Sequence, residues 1–216
     1  MLSRAMDLAK LRREYEDRGI DVADVDPDPI AQVRLWLADA QAVGVFEANA
    51  VVLSTADPEG RPSGRFVLLK GLDERGFAFY TNYESMKARD LDEVGLAALT
   101  FGWLELHRQV RVQGSVERLS EEESDAYFAT RPQGAQIGAW ASPQSRVLAD
   151  RAELDRNVGE VLARFREDEV PRPPFWGGYL VRPHAIELWQ GRANRLHDRL
   201  RYRREGDGWV IERLAP

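Results

Sequence analysis

The feature that most constrains the fold is a series of short extended segments joined by tight turns, which begins at Ala50. Residues 51–55, 65–70 and 77–81 are predicted as strands, and Pro, Gly and Asp occupy the turns between them. These connections are too short for the crossover that joins two parallel strands. The sequence therefore predicts an antiparallel meander.

Further strands and several helices are predicted around this meander. The other strands cover residues 95–103, 104–114, 178–182, 185–190, 195–204 and 209–213. Helices are predicted over 2–16, from Asp28-Pro29 up to Gly44, over 85–93, from Ser120 to Pro132, over 136–140 and over 151–166. About eight strands with helices as side elements predict an α+β fold, predominantly antiparallel β, in the form of a small barrel.

The chain of 216 residues fits one domain or one large β-rich unit. An acidic, Pro-containing run at 21–29 follows the first predicted helix and has the composition of a loop or arm. We therefore expect residues 1–27 to form an N-terminal helix and a mobile arm, and residues 28–216 to form a single domain.

Charge and composition exclude several classes of protein. The chain has 36 acidic and 30 basic residues and a net charge of −6, so no general affinity for nucleic acid is expected. It contains no cysteine, which excludes disulfides, thiolate metal sites and cysteine nucleophiles. No apolar run approaches the roughly 18 to 20 residues of a membrane span, and the first ten residues lack the apolar core of a signal peptide. A cytoplasmic protein with no membrane partner is expected.

One basic segment near the end of the chain contrasts with this acidic total. If residues 195–204 form a strand, one face of it carries Arg195, His197, Arg199, Arg201 and Arg203. A row of cations repels itself unless an anion lies across it or water screens it. Two interpretations are open: a solvated edge strand whose charges oppose aggregation, and a phosphate-bearing ligand held against the β-surface.

Familiar nucleotide and metal motifs are absent from the sequence. There is no Gly-rich dinucleotide fingerprint after a strand and no phosphate loop ending in Gly-Lys-Ser/Thr. The three histidines, His107, His184 and His197, lack the paired spacing of a zinc helix, so no metal site is expected. A serine triad would need a nucleophile elbow, which the chain also lacks.

Cations and hydroxyls near the ends of predicted elements are the remaining candidates for binding chemistry. They are Arg65, Lys70, Tyr80, Thr81, Lys87, Tyr127, Arg131, Arg195, His197 and Arg199. Arginine binds phosphate through a planar fork and lysine through a point charge, and the set suits two phosphates better than one. Strict alternation places Arg65 and Lys70 on opposite strand faces, so a common site would need a bend or bulge. Spacing alone leaves open whether the set converges or serves different ligands.

Several motifs, in order along the chain, resemble those of one enzyme family. They are Arg65-Phe-Val-Leu-Leu-Lys70, Phe79-Tyr-Thr-Asn82, Arg108-Gln-Val110, Gln136-Ile-Gly-Ala-Trp140, Phe175-Trp-Gly-Gly178, Trp189-Gln-Gly191, Arg195-Leu-His-Asp-Arg199 and the closing Ile211-Glu-Arg-Leu-Ala-Pro216. From around Leu11 to Pro216 the chain resembles the pyridoxine/pyridoxamine 5′-phosphate oxidases. The number of linked motifs argues against chance similarity.

That resemblance implies a split β-barrel homodimer with FMN bound in two clefts between the subunits. The positions that match the family's FMN contacts are Arg65, Phe66, Val67, Leu68, Leu69, Lys70, Tyr80, Thr81, Lys87, Gln109, Gln144, Ser145, Trp189 and Arg199. Some of these residues are expected to reach the cofactor from the partner subunit.

The resemblance also implies oxidation of two vitamin B6 phosphates, pyridoxine 5′-phosphate and pyridoxamine 5′-phosphate, to pyridoxal 5′-phosphate. Dioxygen is the expected electron acceptor and hydrogen peroxide the by-product. The positions that match substrate contacts are Lys70, Tyr127, Arg131, Arg195, His197, Arg12 and Tyr15. Arg195 and His197 match the residues over the pyridine ring and are the expected catalytic pair. Arg12 and Tyr15 resemble part of a segment that closes over the substrate, with a solvated helix end as the alternative.

Two positions depart from the family pattern. Ala135 stands where a serine usually contacts the substrate phosphate, and losing one such hydrogen bond costs roughly 1 to 3 kcal/mol if nothing replaces it. Met86 stands where an arginine commonly precedes Lys87, so fewer cations are expected at the FMN phosphate. Neither change touches the redox step.

Two other functions remain open. A related flavin oxidase of the phenazine-pathway type has some support from Ala135, whereas Lys70, Arg131 and His197 favour the vitamin B6 substrate. A non-catalytic protein that binds nucleic acid through Arg195–Arg204 is disfavoured by the acidic total.

Overall fold

The computed structural model describes residues 19–165 and 169–216. The helix predicted over residues 2–16 lies outside the described residues, and so do Arg12 and Tyr15. The last residue of the helix predicted over 151–166 also lies outside them. The division at residue 27 into an arm and a domain stays a prediction.

The described part of the chain contains five α-helices, and side-chain hydrogen bonds cap the start of the first, third and fifth, whereas the Ser85 hydroxyl expected to cap the second donates to the carbonyl of Asn82 instead. They are α1 (Pro29–Ala42), α2 (Met86–Val94), α3 (Glu121–Ala129), α4 (Gln133–Ala141) and α5 (Arg151–Arg164). Asp28 accepts the backbone N–H of Ile30 at 2.9 Å, and Ser120 and Glu123 form the predicted capping box. Helix α4 begins three residues earlier than predicted, directly after Pro132, which fits the start of a helix. None of these helices is long and apolar enough to span a membrane.

The strands among the described residues form one antiparallel sheet, which confirms the predicted fold class. They are β1 (Ala50–Ala56), β2 (Pro62–Leu68), β3 (Gly71–Asp73), β4 (Gly76–Asn82), β5 (Leu96–Trp103), β6 (Arg108–Arg118), β7 (Trp176–Gln190), β8 (Asp198–Glu205) and β9 (Gly208–Leu214). Their order is β2-β1-β5-β6-β7-β4-β3, and β8 pairs with both β7 and β9. The sheet curls into a half-barrel.

Strand β7 is 15 residues long and belongs to both halves of the sheet. Its first half pairs with β4 and its second half with β8, while β6 runs along its other edge. The sequence predicts two strands here because Pro183 cannot donate a ladder hydrogen bond. The structure accommodates Pro183 beside a shift in register at Gln113 and Gly114. A Cβ at Gly114 would lie 2.2 Å from the carbonyl oxygen of Arg182, so only glycine fits there.

The chain changes its pairing partner between Leu69 and Lys70. The Leu69 N–H donates to the carbonyl of Asn49 on the β1 side at 2.9 Å. The Lys70 N–H donates to the carbonyl of Ala78 on β4 at 2.8 Å, one residue later. This is the bend that a common site for Arg65 and Lys70 requires, because strict strand alternation ends before Lys70.

Strand β6 begins later than predicted, at Arg108 rather than at Leu104. Residues 104–106 form a 3₁₀ turn, and His107 follows in the left-handed region with φ of 51°. Leu104 is consequently 81% exposed, although its place in the apolar alternation predicts burial. The apolar alternation of the sequence continues through residues 104–106, and alternation alone does not distinguish this turn from a strand.

Strand β8 also begins later than predicted, at Asp198 rather than at Arg195. Residues 193–195 form a 3₁₀ turn in which Asn194 and Arg195 have positive φ of 55° and 64°. Arg195 and His197 therefore lie on a turn before the strand and not on the strand face. The predicted row of five cations is limited to its last three members.

Two carboxylates on neighbouring strands pair with those three arginines. Arg199 pairs with Glu187 on β7 at 2.9 Å. Arg201 and Arg203 pair with Glu212 on β9 at 2.6 and 3.1 Å. The interpretation of this segment as an edge strand is wrong, because β8 lies between β7 and β9. Each arginine of the row therefore has a carboxylate partner within the chain.

The two largest groups of buried side chains hold these elements together. The larger includes Phe77, Phe101 and Trp103, whose Nε1 donates to the carbonyl of Ala48 at 2.9 Å. The smaller consists of Phe128, Ile137, Phe165, Val170 and Trp176, from α3, α4, the end of α5 and the start of β7. Trp176 of this smaller group lines the site described next.

Candidate functional site

A cavity of about 860 Å³ lies between strands β2 and β4 and helices α3 and α4. The predicted site residues that line it are Phe66, Val67, Leu68, Lys70, Tyr80, Thr81, Lys87, Tyr127, Arg131 and Gln144. They come from strands β2 and β4, from helices α2 and α3 and from the segments between elements, and they are widely separated in sequence. The fold therefore brings together a large part of the predicted set within one chain.

Lys87 lies in this cavity among neutral oxygens. Its Nζ is 3.2 Å from Thr81 Oγ1, 3.3 Å from Ser85 Oγ and 3.0 Å from Gln144 Oε1. Within the described residues no carboxylate forms an ion pair with it. Burial, together with the nearby positive charge of Arg65, lowers the pKa of Lys87 to about 8. An anion placed here would stabilise the charged form of the lysine.

Arg65 is not among the residues that line this cavity, but it is close enough to Lys87 for its charge to lower the pKa of that lysine. Its Nη1 donates to the hydroxyl of Thr55 at 2.8 Å and to the carbonyl of Leu53 at 3.2 Å. The Thr55 hydroxyl in turn donates to the buried carboxylate of Asp90 at 2.6 Å. Burial lowers the pKa of Arg65 and Asp90 opposes this, so the guanidinium stays charged at neutral pH. Its Nη2 is buried without a hydrogen-bond partner.

A stack of aromatic rings forms another wall of the cavity. The rings of Tyr80 and Tyr127 are 3.9 Å apart between centroids at 16°, and Tyr80 also stacks on Trp176 at 5.6 Å. The guanidinium of Arg131 lies over Trp176, 4.5 Å from the ring centroid. Burial lowers the pKa of Arg131, with Tyr127 opposing. Its Nη1 is buried without a hydrogen-bond partner.

A second group of predicted residues lies outside this cavity, on the sheet. Gln109, Trp189 and Arg199 are direct cross-strand neighbours on β6, β7 and β8. Arg195 and His197 occupy the turn that precedes β8. The chain thus presents two separate groups, the cavity and this row, and the structure of one chain does not bring them together.

His197 in the second group is oriented by its own turn. Its ring lies 4.5 Å from that of Trp189, and its Nδ1 accepts the backbone N–H of Arg192 at 3.1 Å. The neutral imidazole therefore carries its proton on Nε2. Burial and the positive charge of Arg195 lower the pKa of His197 below its usual value. Arg195 itself is exposed.

The remaining predicted residues lie around the cavity. Leu69 is buried in the core, and the Ser145 hydroxyl accepts the backbone N–H of Met86 at 3.3 Å. The Met86 side chain is 50% exposed and supplies no charge at this position. Ala135 lines the cavity, as its family position implies.

Some residues of the site were not among the predicted ones. The cavity is also lined by Asn82, Thr130, Pro132, Gly138, Ala139, Ser142 and Trp176. Trp176 lies in one of the family motifs, so the sequence held a signal for it. No sequence pattern indicates that Thr55 and Asp90 support Arg65. Thr55 on a strand and Asp90 on a helix are 35 positions apart, and only the fold brings them into hydrogen-bond contact.

The curled antiparallel sheet and the cationic, aromatic cavity beside it define a ligand-binding protein of the split β-barrel class. Residues 37–165 match the family model described as pyridoxamine 5′-phosphate oxidase. Residues 176–216 match the model described as the pyridoxine 5′-phosphate oxidase C-terminal dimerisation region. The chain belongs to the pyridoxine/pyridoxamine 5′-phosphate oxidase family and is an oxidoreductase.

Similar proteins of bacterial origin cover almost the whole chain. The pyridoxine/pyridoxamine 5′-phosphate oxidase of Rubrobacter xylanophilus is 60% identical over 210 residues, covering 97% of both chains. The enzyme of the same name from Salinibacter ruber is 57% identical over 213 residues, covering 97% of this chain and 99% of its own.

Solved structures support the fold. PhzG from Burkholderia lata, in complex with tetrahydrophenazine-1-carboxylic acid, has a TM-score of 0.85 and 36% identity, covering 90% of this chain and 95% of its own. A pyridoxamine 5′-phosphate oxidase-related, FMN-binding protein from Nostoc punctiforme has a TM-score of 0.70 at 18% identity, covering 89% and 100%. The second similarity shows the fold alone.

Proposed function

We propose that this enzyme oxidises pyridoxine 5′-phosphate and pyridoxamine 5′-phosphate to pyridoxal 5′-phosphate with bound FMN and dioxygen. One observation carries the proposal. Within residues 19–165 and 169–216, the buried side-chain nitrogens or oxygens without a hydrogen-bond partner are Arg65 Nη2 and Arg131 Nη1. A buried donor without an acceptor is costly, and guanidinium donors suit phosphate oxygens. Two such donors on different residues suit two phosphates, one from a cofactor and one from a substrate.

The residues around Arg65 fit the phosphate of FMN. Arg65 and Lys87 supply positive charge, while Thr81 and Gln144 supply polar groups within 3.2 Å of the Lys87 ammonium. Strand β2, from Phe66 to Leu68, lines the cavity next to them and would lie along the flat ring system. When bound, FMN supplies a two-electron acceptor that dioxygen regenerates with release of hydrogen peroxide.

The residues around Arg131 fit the phosphate of the substrate. Lys70 lines the cavity at the bend after β2, and Tyr127 and Arg131 line it from α3 and the residues that follow α3. The ammonium of Lys70 and the guanidinium of Arg131 place positive charge on two residues that line the same cavity. Their task is to orient the substrate, since holding reacting groups in line lowers the barrier more than binding alone.

Arg195 and His197 would hold the pyridine ring of the substrate. The Nε2–H of His197 and the guanidinium of Arg195 are donors suited to the negative charge on the 3′ oxygen of the ring. Because Nδ1 already accepts a hydrogen bond from Arg192, we assign His197 an orienting and charge-tuning role before that of an obligatory general base.

A homodimer would bring the two groups of residues together. The row with Trp189, Arg195, His197 and Arg199 lies in the segment 176–216, which matches the C-terminal dimerisation region of the family. We propose that each site combines the cavity of one subunit with this row from the partner. An interface of this kind is isologous, so one dimer would hold two equivalent sites.

The first experiment is an absorbance spectrum of the purified protein supplied with FMN, recorded before and after anaerobic addition of pyridoxine 5′-phosphate. The expected result is bleaching of the flavin band, reversed by air. A protein that binds no flavin would contradict the proposal.

A second candidate is a related flavin oxidase that acts on a reduced phenazine precursor. The structural similarity to PhzG at 36% identity favours it, as does Ala135 in place of a phosphate-binding serine. In the same experiment this candidate predicts bound flavin that pyridoxine 5′-phosphate does not bleach. The partnerless Arg131 Nη1 argues for the phosphorylated substrate.

A further inference from the structure

The turn that carries Arg195 and His197 has an unfavourable backbone. Asn194 and Arg195 have φ of 55° and 64°, a region that a long side chain such as arginine rarely adopts. Inside the turn, the Leu196 N–H donates to the carbonyl of Ala193 at 3.2 Å. Two adjacent left-handed residues persist only when surrounding contacts determine their conformation.

A buried carboxylate directly after this turn supplies such contacts. Asp198 Oδ2 accepts from Arg192 Nη1 at 3.2 Å and from the backbone N–H of Ile20 at 3.1 Å. Asp198 Oδ1 accepts from Arg213 Nη1 at 2.7 Å. Arg213 Nη2 also donates to the carbonyl of Ile20 at 3.1 Å. We call these four residues, Ile20, Arg192, Asp198 and Arg213, the Asp198 clasp.

The clasp joins the two ends of the turn and connects the turn to residues that are distant in sequence. Arg192 precedes the turn and Asp198 follows it, so their ion pair joins its two ends. Arg213 belongs to β9, and Ile20 lies 178 positions before Asp198. A Cβ at Gly19 would lie 2.6 Å from Arg192 Nη1 and 2.9 Å from Asp198 Oδ2. The first described residues therefore pass in close contact with the clasp.

Burial works against a charge on Asp198, but the hydrogen bonds from Ile20, Arg192 and Arg213 outweigh it and lower its pKa. The carboxylate is thus ionised at neutral pH and holds two guanidinium groups. A neutral amide of the same shape would keep the packing and lose this attraction. A comparison of aspartate with asparagine at position 198 therefore tests the contribution of the negative charge.

We propose that Asp198 is a positioning residue for Arg195 and His197, whose clasp holds their turn in the conformation that presents both side chains to the substrate. This inference rests on the proposed function, in which that pair holds the pyridine ring. Asp198 itself acts through the clasp and needs no contact with substrate or cofactor. If the clasp has this role, disrupting it slows the reaction with the substrate and leaves the rate at which the reduced enzyme reacts with dioxygen unchanged.

The test compares Asp198→Asn with wild type in the two half-reactions, measured separately by stopped flow. We expect anaerobic reduction by pyridoxine 5′-phosphate to slow by about tenfold or more, because a small misplacement of orienting groups has effects of that size. Reoxidation by dioxygen and the FMN content should stay at the wild-type values. Arg213→Gln, which removes a partly exposed clasp member, should slow reduction to a smaller extent and replaces Asp198→Asn if that variant does not fold.

A second readout does not depend on activity. The amides of Ile20 and Arg192 are hydrogen-bonded to Asp198 Oδ2 and His197 Nδ1 respectively. In Asp198→Asn both should exchange with deuterium faster, while amides inside β8 and β9 keep their protection. Glu212→Gln is the matched control, since it removes a carboxylate that pairs with Arg201 and Arg203 outside the clasp.

The outcomes separate this inference from the proposed function. If wild type binds FMN and pyridoxine 5′-phosphate does not reduce it, the proposed function is wrong, and the exchange data alone decide whether the clasp holds the turn. If wild type is reduced and Asp198→Asn is reduced equally fast, Asp198 has no positioning role. Equal slowing by Glu212→Gln would also overturn the inference.

Discussion

The ammonium of Lys87 and the side-chain carbonyl of Gln144 lie 3.0 Å apart, although 57 positions separate them in the chain. With Thr81 and Ser85 they form a group that has one positive charge, several neutral oxygens and no carboxylate pairing with the lysine within the described residues. Such a group is suited to an anion. This relationship leads to a pH dependence that the phosphate of FMN would reveal.

We expect the affinity for FMN to fall as the pH rises above about 8. The pKa of Lys87 is lowered to about 8 by burial and by Arg65, and only its charged form attracts phosphate strongly. Titrations by flavin fluorescence from pH 7 to pH 10 would measure this. Lys87→Arg is the control, because a guanidinium stays charged and should remove the pH dependence. An unchanged pH profile in that variant would contradict the assignment.

The same group makes a prediction about the stability of the FMN-free protein. The folded-state pKa of Lys87, about 8, lies below its ordinary value of 10.5, so in that interval the unfolded chain binds more protons. Stability therefore increases with pH between these values relative to a variant without the lysine. Urea unfolding of wild type and Lys87→Met at pH 7.5 and pH 10 would measure the difference. A constant difference between the two proteins would show that Lys87 does not titrate in this range.

Arg131→Met should raise the KM for pyridoxine 5′-phosphate and leave FMN binding unchanged. Arg131 lines the cavity and its Nη1 is buried without a hydrogen-bond partner. A hydrogen bond between charged groups is worth about 1.5 to 3 kcal/mol, or roughly ten- to a hundredfold in affinity. Arg164→Met is a matched control, because Arg164 lies over Trp140 at 4.8 Å as Arg131 lies over Trp176. Equal effects of the two substitutions in steady-state kinetics would mean that packing, and not phosphate binding, is lost.

Ala135→Ser should lower the KM for the phosphorylated substrate by up to about tenfold, with little change in kcat, because it restores one donor to the cavity wall. Ala139→Ser, one turn further along α4 on the same wall, is the control for a hydroxyl placed elsewhere. If Ala135→Ser left the KM unchanged, another group would already occupy that role.

Arg195→Met should reduce turnover strongly while the protein retains its bound flavin. The arginine lies on the turn before β8, outside the cavity that contains the expected FMN phosphate site. Flavin content from absorbance and kcat from peroxide release would be measured on the same preparation. Loss of flavin would show that Arg195 supports the cofactor instead of the substrate ring.

Subunit complementation tests whether the site is shared between chains. Lys87→Met alters the cavity group and Arg199→Met alters the row on the sheet, so each homodimer should be defective. Co-expression should restore about a quarter of wild-type activity, because half of the dimers are mixed and each mixed dimer holds one intact site. If both groups served a site within one chain, no activity would return.

Local chemistry in the sequence accounts for much of the fold. The turns after β1 and β3, the caps at Asp28 and Ser120 and the apolar pattern of α5 depend on neighbours within a few residues, which sequence reasoning can use. The sequence predicts that β6 and β8 start earlier than they do, for a related reason. An apolar alternation looks the same in a strand and in a turn that precedes it, and only long-range pairing separates them.

The motifs in the sequence by themselves determined the family, the antiparallel class and the kinds of side chain that the site contains. Tertiary structure alone decided how those side chains are used. The chain bends at Lys70. Thr55 links the guanidinium of Arg65 to the carboxylate of Asp90 through two hydrogen bonds. The arginines of β8 pair with glutamates on the neighbouring strands. The physical reason is that charge balance and burial depend on neighbours that are distant in sequence. A guanidinium without a partner can be recognised only when every surrounding atom has been placed.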